Sequence, residues 1–127
     1  MVKYSVVRLR KPSKNVSAVF ECNGYNRVLD NLIIRESVDK SLVDTFTTSI
    51  LDIEKDIETE TLYLNNINKE MDEHYRLYGD VFESTFPQYR RTITKIDTLK
   101  SKLRDILEDL SAVAQNNHFT YSVILTN

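Results

Sequence analysis

Between Phe46 and Tyr78 apolar side chains return at steps of three and four: Phe46, Ile50, Ile53, Ile57, Leu64, Ile67, Met71 and Tyr78. Only Glu60 and His74 interrupt the series. A spacing of this kind, sustained over so many heptads, belongs to a long helix that buries one narrow seam against other helices. Ser37 or Ser41 can cap its start, and Ser41-Leu42-Val43-Asp44 resembles a capping box with Asp in place of Glu. Gly79 follows the last apolar position, where glycine commonly ends a helix. Along the way Asp52, Glu54, Asp56, Glu58 and Glu60 stand against Lys55 alone, which predicts an acidic surface beside the seam.

A second helix is expected from Pro87, a residue suited to the first helical turn, to about Ala114. Its stripe is Tyr89, Ile93, Ile96, Leu99, Leu103, Ile106, Leu110 and Val113, widened by Leu107. A connection this short between long helices makes them an antiparallel hairpin. With Tyr78 facing Pro87, Ile57 would lie near Glu108 and Leu64 near Ser101, and Glu70, Asp72 and Glu73 would face Arg91 and Lys95.

The flanks read as strands. Lys3–Arg10 alternates β-branched and polar residues, Val16–Cys22 alternates again, and Phe119–Thr126 closes the chain in the same manner. Asn23-Gly24 favours a tight hairpin turn, so a third strand is expected over Tyr25–Ile34. The fold class that results is α+β: a small antiparallel sheet, formed by N-terminal strands and the C-terminal strand, carrying a long antiparallel two-helix hairpin. The 127 residues make one domain, with strands in 1–36, the first helix in 37–83, the second in 84–115 and the last strand in 118–127. Only two glycines and two prolines agree with long elements and short connections.

Chemistry-bearing motifs are scarce. Glu70 and His74 stand one helical turn apart, but the second helix supplies no matching ligand pair, so no metal site is expected. Cys22, the single cysteine, has no neighbouring base and cannot form an internal disulfide. Phosphate loops, paired metalloprotease histidines and nucleophile elbows do not occur, and the carboxylates of 52–60 spread around a helix without a pocket. The expectation is a protein without catalytic, cofactor or metal residues. It is expected to be intracellular, cytoplasmic or part of an intracellularly assembled particle, because no signal-like apolar segment opens the chain and no apolar run is long enough to span a membrane. For the same reason Asn15-Val16-Ser17 is read as a chance match to a glycosylation acceptor.

Association is the property that the residues favour. Tyr75, Leu77, Tyr78, Val81, Phe82, Phe86 and Tyr89 crowd the hairpin tip, more apolar surface than a two-helix turn can hide. Leu51, Leu62, Tyr63 and Leu107 fall off the seam and could be covered by helices of another subunit. The expected role is a non-enzymatic assembly or adaptor subunit, homo- or hetero-oligomeric, such as a component of a viral particle, whose sheet could dock a second partner or pair through a free edge. An alternative is a small regulatory binder or inhibitor of a host protein or nucleic-acid complex, working through the acidic helix. A third is a nucleic-acid-associated protein using Lys3, Arg8, Arg10, Lys11 and Lys14, which come with no acidic residue among them. Against that stands the overall charge of −2, and edge-strand cations also guard against unwanted strand pairing.

Overall fold

The computed structural model describes residues 1–10 and 16–126; for residues 16–18 only the backbone is described. Lys11 and Lys14, and the start of the glycosylation-like triplet at Asn15, lie outside the described residues. The elements in order are β1 (Lys3–Arg10), β2 (Val16–Asn23), α1 (Tyr25–Asp30) running into a π-helical turn (Asn31–Arg35), α2 (Lys40–Tyr78), a 3-10 turn (Glu83–Thr85), α3 (Pro87–Val113) and β3 (Phe119–Leu125). The sheet is antiparallel in the order β2-β1-β3, so both ends of the chain meet at the central strand. Alternation sends Tyr4 and Val6 of β1, with Tyr121, Val123 and Leu125 of β3, to one buried face. The core continues from that face to Val43, Ile50 and Ile57 of α2 and Leu103, Leu107 and Leu110 of α3. This is the expected α+β architecture, a small sheet carrying an antiparallel helical hairpin.

The third strand expected over Tyr25–Ile34 is helical instead. Gly24, at φ 88° and ψ 142°, turns the chain out of β2 rather than back along it. Tyr25, Val28 and Leu32 are all fully buried, and their spacing of three and four puts them on one helical face. The first amide of α1 has a distant acceptor: Tyr25 N donates to Glu54 Oε2 at 2.9 Å, and Tyr4 Oη donates to the same oxygen at 2.6 Å. Ser37 does not start α2. It ends the preceding turn in the left-handed region, at φ 55°, while Val38 N donates to Leu32 O at 2.9 Å, a helix stop widened by the π turn. The cap of α2 is Asp39, which accepts from the Ser41 amide at 3.0 Å.

Helix α2 then runs unbroken through Thr45–Ser49 to Gly79, whose φ of 77° and 2.7 Å bond from its amide to Tyr75 O close it. At 1.5 Å per residue α2 is about 58 Å long and α3 about 40 Å. The register differs from the expected one: Lys95 pairs with Glu60 at 3.0 Å, not with Glu70, and the His74 ring meets Phe86 rather than the region of Arg91. The offset sets α3 several residues toward the base, because the chain has already turned back along α2 through the 3-10 turn over Phe82–Phe86 before α3 begins. Glu73 accordingly pairs with Arg76 of its own helix and Arg90 with Glu83 of the turn. At the base, β3 is an edge strand whose outer side is occupied: Tyr121 N donates to Ala114 O at 2.9 Å and Val123 N to Ser111 Oγ at 2.9 Å. That leaves β2 as the sheet's other edge. Among the described residues no helix is long and apolar enough to cross a membrane.

Candidate interaction surface

The hairpin separates into a covered half and an open one. Beyond Ile57 the main core ends, and only Ile67, Ile96 and Thr92 are buried between the two helices. The turn itself is organised by His74. Its Nδ1 lies 2.9 Å from Asp80 O, and because a carbonyl only accepts, Nδ1 carries the proton. The imidazole meets the Phe86 ring edge-on at 5.6 Å and tilts over Tyr78 at 4.7 Å. His74 thus has a closing role, and Phe86 and Val81 are half-buried within that closure.

What the closure leaves outside is apolar. Tyr75, Leu77, Tyr78 and Phe82 are 61%, 64%, 70% and 62% exposed. Tyr78, expected as the last seam residue, lies past the end of the buried seam, 11 residues and so about 17 Å of helix beyond Ile67. Leu62 and Tyr63 are exposed halfway along α2, and Leu62 borders a cavity of about 400 Å³ against Met1, Val2 and Ile57. The other two off-seam residues are corrected by their burial. Leu107 is 2% exposed and central to the core, and Leu51 is half-buried against the same cluster. Both sit near the base, where β3 and the N-terminal elements cover the flanks that a bare hairpin would leave open.

The charged candidates divide in a similar way. Arg8 bonds through Nε and Nη2 to Glu36 Oε1, with Nε at 2.9 Å, and its guanidinium carbon stands 4.8 Å from the centre of the Phe119 ring. The Glu36 carboxylate holds the Arg8 guanidinium above its ordinary pKa. Glu36 also accepts from Tyr121 Oη at 2.8 Å, and Asn116 Nδ2 donates to Tyr121 Oη and Glu36 O. This network floors an open polar groove of about 760 Å³ that Ser37 and His118 also line. Arg8 is therefore a bracing residue, and the nucleic-acid set retains, among described residues, exposed Lys3 and Arg10. In the acidic run Glu54 is taken up by Tyr4 and Tyr25, and Glu60 by Lys95, whereas Asp52, Asp56 and Glu58 are exposed.

Burial is the largest influence on the titrating groups of the base. It pushes Tyr4 far above the ordinary phenol range, with the Glu54 hydrogen bond adding to it, and pushes Tyr25 and Tyr121 up to about 12. The Cys22 thiol is raised chiefly by burial, which disfavours the thiolate a nucleophile needs. Among the described residues no three His, Cys, Asp or Glu side chains gather in a way that could hold a metal ion. No protein-family model matches the chain, and no curated protein or solved structure matches it.

Proposed function

We propose that the chain is a non-enzymatic assembly or adaptor subunit that docks another protein through the tip of its helical hairpin, within a reducing compartment such as the cytoplasm. The observation that carries this reading is the exposed cluster of Tyr75, Leu77, Tyr78 and Phe82, set on the far side of a closed turn from the core. Exposed aromatic groups supply the anchors of protein interfaces, and a cluster of them buries much apolar surface on docking. Tyr78 also packs on the His74 ring, whereas the contacts of His74, Phe86 and Gly79 that close the turn use no side chain of Tyr75, Leu77 or Phe82.

The test is a photo-crosslinking residue placed at Phe82, and at exposed Asn26 as a control, in cells that produce the chain. Discrete adducts from position 82 that vanish with Tyr78→Ser, and no such adducts from position 26, are expected. Failure of position 82 to give an adduct of defined mass overturns the reading.

A further inference from the structure

Six exposed residues of α3 follow one another at steps of four and three: Arg91, Lys95, Thr98, Lys102, Asp105 and Asp109. They form a single stripe along the helix, on the side that neither the core nor the sheet covers. The stripe is basic toward the tip and acidic toward the base. Lys95 reaches Glu60 at 3.0 Å, whereas Arg91, Lys102, Asp105 and Asp109 form no ion pair among the described residues.

That order works against the helix. Cations toward its N-terminus and anions toward its C-terminus oppose the macrodipole, and neither the first turn carries an acid nor the last turn a base. Like charges also stand four residues apart twice, Arg91 with Lys95 and Asp105 with Asp109, an arrangement that weakens a helix. The pattern is nonetheless self-complementary. Reversed end to end about a point between Thr98 and Lys102, the stripe sets Arg91 against Asp109 and Lys95 against Asp105, with Thr98 beside Lys102 near the centre.

We propose that two copies of the chain associate antiparallel through this exposed flank of α3, about a two-fold axis near residue 100. The proposal rests on reading the hairpin as an association element and names a second copy as its partner. A parallel pair would place like charge on like along the whole stripe, so the charge order selects the antiparallel one. The arrangement directs the two aromatic tips to opposite ends of the dimer, where each remains free to dock. A closed two-fold contact of this kind is isologous, each Arg91 meeting the Asp109 of the other copy.

The test uses the full chain, the variants Arg91→Glu and Asp109→Arg, and solution mass by light scattering over a concentration series at low and high salt. The wild type is expected to dimerise with an affinity that falls as salt rises. Each variant alone brings like charges together at both ends and is expected to weaken the dimer on the order of tenfold. Mixed in equal amounts, the two variants place each new charge against its opposite, so the mixture is expected to regain the wild-type mass. A wild-type monomer at every concentration, a variant that associates like the wild type, or a mixture that stays dissociated would each overturn the proposal. So would binding of a duplex oligonucleotide by a monomer, lost in Arg91→Glu and kept in Asp109→Arg, which would make the basic end a polyanion site. A wild-type monomer that still gives adducts from position 82 removes the α3 contact and leaves the tip reading; a charge-restored dimer without tip adducts does the reverse.

Discussion

Two tyrosines of the base are buried to the same degree and differ in one bond. Tyr4 Oη donates to Glu54 Oε2 at 2.6 Å, and the same carboxylate caps α1 through the Tyr25 amide. Tyr25 Oη is buried with the Thr47 hydroxyl nearby but, among the described residues, without a hydrogen bond of good geometry. Deleting the two hydroxyls as Tyr4→Phe and Tyr25→Phe removes the same atom from equally closed sites, so the change in apolar packing is common to both. In Tyr4→Phe a charge-assisted bond is lost and Glu54 is left less satisfied, a cost of about 1.5–3 kcal/mol. In Tyr25→Phe a poorly paired polar group leaves the interior, and the variant should fall within about 0.5 kcal/mol of wild type or be more stable. For a domain of this size the first effect lowers the melting temperature by roughly 5–15 °C. Urea unfolding followed by circular dichroism, with the slope held common, measures both. Equal losses in the two variants, or an unchanged Tyr4→Phe, would refute the assignment of Glu54 as the joint that binds β1, α1 and α2.

Other expectations follow from the same packing. The raised phenol pKa values of Tyr4, Tyr25 and Tyr121 stabilise the fold fully below about pH 10, where unfolded tyrosine is still protonated. As pH climbs from there toward about 12, where folded Tyr25 and Tyr121 also ionise, three such groups remove about 4 kcal/mol per pH unit. Alkaline unfolding should be steep, and Tyr25→Phe should flatten it by about one third; a slope unchanged by that variant contradicts the reasoning. Leu107→Ala, in the core, should cost about 2–5 kcal/mol, while Leu62→Ala should stay within about 0.5 kcal/mol, both read from the urea midpoint. Gly79→Ala, which has open space but must keep φ at 77°, should cost about 1 kcal/mol by the same assay.

The hairpin could be read from the residues because its periodicity is local and its stops, Gly79 and Pro87, act where they stand. The third strand could not. Asn23-Gly24 is a strong turn signal, yet what decides the next segment is Tyr25, Val28 and Leu32 meeting a sheet face and Glu54 arriving from 29 residues away to cap it. The spacing of those three residues is helical, while the β-branched Ile33 and Ile34 beside them favour a strand. A bare heptad leaves Leu51 and Leu107 off the seam, on an open flank; only the packing of the base, with β3 folded back onto α3, makes that flank core. The same distinction separates the tip residues. Phe82 and Phe86 look alike in sequence, and the His74 contact is what turns one inward and leaves the other out.

The most direct measurement of the central claim is amide hydrogen exchange over residues 75–86, compared between the isolated chain and the assembly recovered from cells that make it. A docking tip predicts slow exchange of this segment in the assembly and faster exchange in the isolated chain, with β1 and β3 equally protected in both. Exchange of 75–86 that is identical in the two, while another surface gains protection, would contradict it.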